Sequence, residues 1–206
     1  MKKLLRITLS FLLLVSSPLT MAADAKQTSA GPSDNPGTDN PKVEMVTSKG
    51  TMIIELYPDK APKTVENFLQ YVKDGAYDGT IFHRVIRDFM NQGGGFTADF
   101  SKVETRAPIQ NEADNGLKNL KYTVAMARTS APHSATNQFF INTKDNDFLN
   151  HTGKSMRGWG YTVFGKVVDG QNVADIISRV ATGSGGPFSK DVPRTTITIE
   201  KMTLVK

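Results

Sequence analysis

Phe82-His83-Arg84-Val85-Ile86-Arg87-Asp88-Phe89-Met90-Asn91-Gln92-Gly93-Gly94-Gly95-Phe96 is the stretch whose reading decides the fold. It reads as a strand, a tight turn, a second strand and a glycine run. Within it stand a cation that a site could use, Arg84, an amide able to orient it, Gln92, and two large apolar groups, Phe89 and Met90. It holds no thiol, no serine and no carboxylate beyond Asp88. A set of this kind holds an apolar group against a guanidinium and does not perform nucleophilic chemistry.

Alternation along the first strand puts Arg84 on one face with Phe82 and Ile86, and His83 with Val85 on the other. A lone strand arginine is most simply a surface residue in an ion pair, because burying an unpaired charge is costly. Later residues weigh against that account. Gln138 and Phe140 lie two apart, so they share one face of another strand, and an amide carbonyl there can accept from a guanidinium and fix its plane. Gly93-Gly94-Gly95 looks like a phosphate cradle in composition only, since neither a Lys-Ser/Thr pair nor a helix follows. His83, His133 and His151 lack the short spacing of a metal site and have no carboxylate cluster beside them, so no metal is expected. Ser134, His83 and Asp88 can be drawn as a triad, but nothing around Ser134 marks a nucleophile.

Outward from this stretch, Val43 to Thr47 and Thr51 to Tyr57 read as strands joined by Ser48-Lys49-Gly50, a hairpin signal. Pro62 opens a helix whose apolar stripe is Val65, Phe68, Leu69 and Val72, and Gly75 ends it. Tyr122 to Ala127, Gln138 to Asn142 and Tyr161 to Val168 are further strands. Val173, Ile176, Ile177 and Val180 form a second short amphipathic helix, and Thr195 to Val205 closes the chain as a strand through Ile197 and Ile199. Seventeen glycines and ten prolines imply many turns, which suits a β-rich protein. Many strands with one early and one late helix predict an antiparallel barrel or sandwich with helices at its ends.

The first 22 residues have the layout of a secretory signal peptide: Lys2, Lys3 and Arg6, an apolar run to Val15, then Pro18 and a small residue at Ala22. Cleavage is expected after Ala22, with Ala23 or Ala25 as alternatives, and the apolar run is short for a membrane span of about 20 residues. Residues 23–41 carry almost nothing apolar and read as a disordered linker. One domain then occupies 42–206. The formal net charge of +5 falls to +2 once the three signal-peptide cations are removed, so the basic balance does not argue for nucleic acid. The absence of cysteine excludes disulfides and thiolate metal sites.

Phe82-His83-Arg84-Val85-Ile86 followed by Phe89-Met90-Asn91-Gln92-Gly93-Gly94-Gly95-Phe96 closely resembles the signature of the cyclophilins, the cyclosporin-binding peptidyl-prolyl isomerases. Met126-Ala127, Asn137-Gln138-Phe139-Phe140-Ile141, Phe148-Leu149 and Val163-Phe164-Gly165-Lys166-Val167 follow in the family's order. Asn111-Glu112-Ala113-Asp114-Asn115-Gly116-Leu117, with the export signal, looks most like the bacterial periplasmic branch.

The resemblance implies a mainly β fold, a closed eight-stranded antiparallel barrel capped by two α-helices. It implies Arg84 as the catalytic arginine and Gln92 as its positioning partner. Phe89, Met90, Phe140 and Leu149 resemble the pocket for the proline ring, and Ala127 and Gln138 resemble the groove for the peptide backbone. Three substrate-binding positions depart from the familiar eukaryotic pattern: Arg128 stands for an asparagine, Phe148 for a tryptophan that helps bind cyclosporin, and Tyr161 for a histidine at the rim. The expected protein is thus a monomeric, periplasmic or secreted isomerase that needs no cofactor. Its partners would be proline-containing exported polypeptides and, with weakened affinity, cyclosporin. No nucleic acid and no membrane anchor after cleavage are expected. The rival account is a module that holds proline segments with little turnover.

Overall fold

A computed structural model describes residues 40–205. The expected signal peptide and nearly all of the linker lie outside the described residues. The first hairpin is β1 (Lys42–Thr47) and β2 (Gly50–Leu56). Val43, Met45 and Thr47 in β1, and Met52, Ile54 and Leu56 in β2, are buried, while their neighbours alternate outward. That period of two is what a half-buried strand requires. Gly50 closes the turn with φ 126°, and a Cβ there would lie 2.9 Å from Val173.

Helix α1 (Pro62–Lys73) begins with proline where a missing N–H is harmless, and Ala61 supplies no side-chain cap. The cap comes from far along the chain. Glu112 accepts from the backbone N–H groups of Lys63 (3.2 Å) and Thr64 (2.9 Å), placing a carboxylate at the positive end of the helix. The helix buries Val65, Phe68, Tyr71 and Val72. Tyr71 therefore joins the expected stripe, while Leu69 is only partly buried. Its phenolic oxygen is reached by the Arg106 N–H at 2.7 Å, which satisfies the polar tip of a buried ring.

The remaining strands are β3 (Arg84–Ile86), β4 (Met90–Gly93), β5 (Thr123–Met126), β6 (Phe139–Asn142), β7 (Val163–Asp169), β8 (Thr182–Gly185), β9 (Phe188–Pro193) and β10 (Ile199–Val205). Helix α2 (Gln171–Ser178) follows β7. It buries Val173, Ala174, Ile177 and Ser178, whereas Ile176 faces out and Val180 lies past the helix end. Eight strands form one antiparallel sheet in the order β10-β1-β2-β7-β5-β6-β4-β3, and β8 pairs with β9 as a separate hairpin.

The expected closed barrel is corrected to an open, curled sheet. β3 is three residues long, and no ladder joins it to β10. The chain ahead of β3 meets the start of β10 through the bridge Ile81–Thr198, the Phe82 N–H donated to Ile197 at 2.9 Å and the Ile199 N–H donated to Thr80 at 2.7 Å. The β8–β9 hairpin lies against β3 instead.

The main core gathers Phe68, Tyr77, Phe82, Phe139 and Phe164 with the aliphatic residues of β1, β2 and both helices. A second, smaller cluster of Met90, Ala125, Phe140, Leu149 and Val163 lies on the opposite face of β4, β6 and β5. Phe139 faces the first and Phe140 the second, as adjacent strand residues must.

Candidate active site

Register assembles the site. Arg84 in β3 pairs with Gln92 in β4, Gln92 with Phe140 in β6, Phe140 with Ala125 in β5, and Ala125 with Val163 in β7. Directly paired residues point to the same side, so one row across five strands carries a guanidinium, an amide, an aromatic ring and two small apolar groups. The Arg84 Nη1 donates to Gln92 Oε1 at 3.4 Å, and Gln92 Nε2 donates to Gln138 Oε1 at 2.9 Å. The guanidinium is thereby tied to one amide, and that amide to a second.

Beside the row opens a pocket of about 120 Å³, lined by Arg84, Phe89, Met90, Gln92, Ala127, Arg128, Phe140, Leu149 and Tyr161. This is room for several waters, enough for a small saturated ring. Met90, Phe140 and Leu149 are buried beneath it, and the Tyr161 ring meets Phe140 edge-on at 5.7 Å. Gln138 lines an adjoining pocket of about 160 Å³ with Thr129, Ser134 and Thr136.

Phe148 lies in neither lining. It is 74% exposed, on the 3₁₀ turn Asp147–Leu149, with its ring 5.5 Å from that of Phe89. Ser134 bonds Thr129 and Ala131 locally and makes no hydrogen bond to His83.

Two expectations about the opening stretch change. Phe82 does not share the face of Arg84. Strand β3 starts only at Arg84, so the alternation does not extend back, and Phe82 enters the main core with Val85. The lone-arginine account also proves partly right, because Arg84 Nε lies 3.8 Å from the Asp191 carboxylate. Asp191 sits in β9 at φ 67°. Nothing in the polar, glycine-rich segment around that hairpin signals it, since it has no apolar alternation to read.

Gly95 allows Gln138 to approach. A Cβ at Gly95 would lie 2.5 Å from Gln138 Cγ, although the backbone conformation there suits any residue. Gly95→Ala is therefore expected to displace Gln138, release Gln92 and lower kcat/KM by about three- to tenfold, the worth of one neutral hydrogen bond. Assays on Xaa–Pro peptides at a temperature where the variant is fully folded check this.

His83 is 2% exposed, with its ring 4.8 Å from Phe96 and 5.5 Å from Phe188, and Nδ1 has no partner. Burial is the main cause that pulls its pKa down to about 4, and the neighbouring Arg84 charge adds to it. The imidazole is neutral at pH 7, so Arg84 is the cation of the strand. Between pH 6.5 and about 4 the unfolded chain holds a proton that the folded one lacks. The stability is full above that window and falls as pH drops through it, by up to roughly 3 kcal/mol. Urea midpoints at several pH values should show this slope in the wild type and a shallower one in His83→Gln.

The sequence comparisons bear on this geometry. The family model described as cyclophilin type peptidyl-prolyl cis-trans isomerase matches residues 42–204. The chain belongs to the cyclophilins. It is 62% identical to peptidyl-prolyl cis-trans isomerase cyp18 of Streptomyces antibioticus over 163 residues, covering 79% of this chain and 98% of that one. It is 56% identical to peptidyl-prolyl cis-trans isomerase B of Escherichia coli K12 over 158 residues, covering 77% and 96%. A cyclophilin-type isomerase of Cryptosporidium parvum, solved in the presence of the dipeptide Ala-Pro, aligns with a TM-score of 0.63 at 25% identity, over 80% of this chain and 99% of that one. This cyclophilin is of the bacterial kind, and it is a peptidyl-prolyl cis-trans isomerase.

Proposed function

We propose that this cyclophilin seats the proline ring of an Xaa–Pro segment in the 120 Å³ pocket and turns the bond under Arg84. The observation that carries this is the row Arg84–Gln92–Phe140, which sets a guanidinium beside an apolar pocket. The barrier to rotation is about 18–20 kcal/mol because amide resonance is lost on twisting. At the twisted geometry the proline nitrogen regains its lone pair, and a guanidinium N–H donates to it. The planar ground state offers that donor little, so the bond favours the transition state selectively. Gln92 and Gln138 hold the guanidinium plane, Phe89, Met90, Phe140 and Leu149 grip the ring, and Ala127, Arg128 and Tyr161 border the peptide. No covalent intermediate forms.

The amino-terminal pattern supports export to the periplasm, where the substrates would be exported chains completing their folding. Rotation needs no energy source, which suits a compartment without ATP. Cell fractionation should find the processed protein in the periplasm, and a cytoplasmic, unprocessed pool would overturn that part. The exposed Phe148 supports weak cyclosporin binding. For the pocket itself, Ala-Pro should inhibit turnover of an Xaa–Pro peptide competitively while Ala-Gly does not. Equal inhibition by both would mean that the pocket does not recognise the ring.

A further inference from the structure

Beyond the proline pocket lies a cleft of about 510 Å³ that shares Arg128 and Tyr161 with it and adds Thr129, Ser130, Met156 and Arg157. Its lining contains two guanidinium groups and three hydroxyl groups and no carboxylate. Five ion pairs occur among the described residues, on Arg84, Arg106, Lys121, Lys154 and Lys201. Even Lys154, in the same loop as Arg157, is taken by Asp114 at 3.0 Å. Arg128 and Arg157 have no such partner among the described residues.

Arg128 is also held in place. Its Nε donates to the Gly160 carbonyl and its Nη1 to that of Thr129, both at 2.9 Å, and the guanidinium lies 4.6 Å over the Tyr161 ring. Carbonyls fix its direction without neutralising its charge, which leaves a pre-organised planar donor. The loop that presents Arg157 is tied across its base, with the Thr152 N–H donated to Gly158 at 2.8 Å and the Trp159 N–H to Ser155 at 3.1 Å. Met156, 61% exposed beside it, offers an apolar surface to the methylenes of an incoming side chain.

We propose that this cleft is an anion-accepting subsite that selects substrates with a glutamate or aspartate close to the isomerised proline. The inference rests on the proline ring occupying the adjoining pocket. Arg128 and Arg157 grip the carboxylate, which meets no competing acid in the lining. The ring fixes the peptide, so the preference applies to one side of the proline only.

The test compares peptides carrying Glu, Gln or Lys at the residue before proline, and separately at each of the two residues after it. Binding and kcat/KM are both measured, with wild type, Arg157→Gln and Arg157→Lys. At one of these positions Glu should exceed Gln by about three- to tenfold, as one exposed charge-assisted contact provides, with Lys lowest. The advantage should fall to near one in Arg157→Gln and survive in part in Arg157→Lys. It should shrink as ionic strength rises from about 0.1 M to about 1 M, where the screening length drops from roughly 10 Å to 3 Å. Arg106→Gln, which lines neither the pocket nor the cleft, should leave the Glu/Gln ratio unchanged.

Equal turnover of Glu and Gln peptides at every position would overturn the proposal, as would a ratio unaffected by Arg157→Gln. A phosphoserine peptide favoured where Glu gains nothing would also overturn the carboxylate selection. A wild type that binds the Glu peptide better yet accelerates no peptide would leave the subsite standing and remove the proposed mechanism instead.

Discussion

Arg84→Ala should lower kcat/KM by about 10- to 100-fold or more while leaving the fold intact. The guanidinium is partly exposed, so removing it leaves no large cavity. A hydrogen bond from a charged donor is worth about 1.5–3 kcal/mol, and each 1.36 kcal/mol is tenfold in rate. Bringing an exchange of tens to hundreds of seconds down to milliseconds takes about 10⁴–10⁵-fold, or roughly 6 kcal/mol. On the proposed mechanism Arg84 would supply up to about half of the barrier lowering, and the ring pocket the rest. Arg84→Lys should also be impaired, because an ammonium lacks the planar fork that Gln92 and the twisted nitrogen use together. Protease-coupled kinetics measure both variants, and a wild-type rate in either removes the guanidinium from the mechanism.

Phe139→Ala should be strongly destabilising. Phe139 is fully buried and meets Phe68 at 5.7 Å, Tyr77 at 5.5 Å and Phe82 at 6.4 Å, each edge-on. It joins α1, the segment before β3, and β6 at one point, so its loss leaves a void that three rings border. Truncations of this type cost about 3–5 kcal/mol. At about 2–4 °C per kcal/mol for a domain of this size, Tm should fall by roughly 10 °C. Phe139 points away from the pocket that its neighbour Phe140 lines, so kcat/KM measured well below the new Tm should stay within about threefold of wild type. Urea denaturation with a loss under about 1 kcal/mol would mean that the void collapses.

The periodicities carried the hairpin β1–β2, both helices and most strands, because each of those elements buries one face and alternates accordingly. The candidate site was legible through the signature around Arg84 and the spacing of Gln138 and Phe140. Register was not. Nothing local shows that Gln92 stands opposite Phe140, and that pairing sets the pocket. The missed features share a physical cause. The Glu112 cap on α1 acts across 48 residues, and Asp191 reaches Arg84 from a polar hairpin without apolar alternation. Phe82 leaves the face of Arg84 because the alternation holds only from the start of β3 at Arg84. The closed barrel gives way for a related reason: the chain meets β10 ahead of β3, and the β8–β9 hairpin lies against β3 itself.

The most direct test separates binding from rotation. Two-dimensional NMR exchange on an Ala-Pro-containing peptide reports the cis–trans rate, and titration in the same samples reports affinity. For Arg84→Ala the peptide should bind within about threefold of wild type, still contacting Phe140 and Leu149, while catalysed exchange falls at least tenfold. Exchange that persists at the wild-type rate, or that declines only in proportion to lost binding, would contradict the assignment of bond rotation to Arg84.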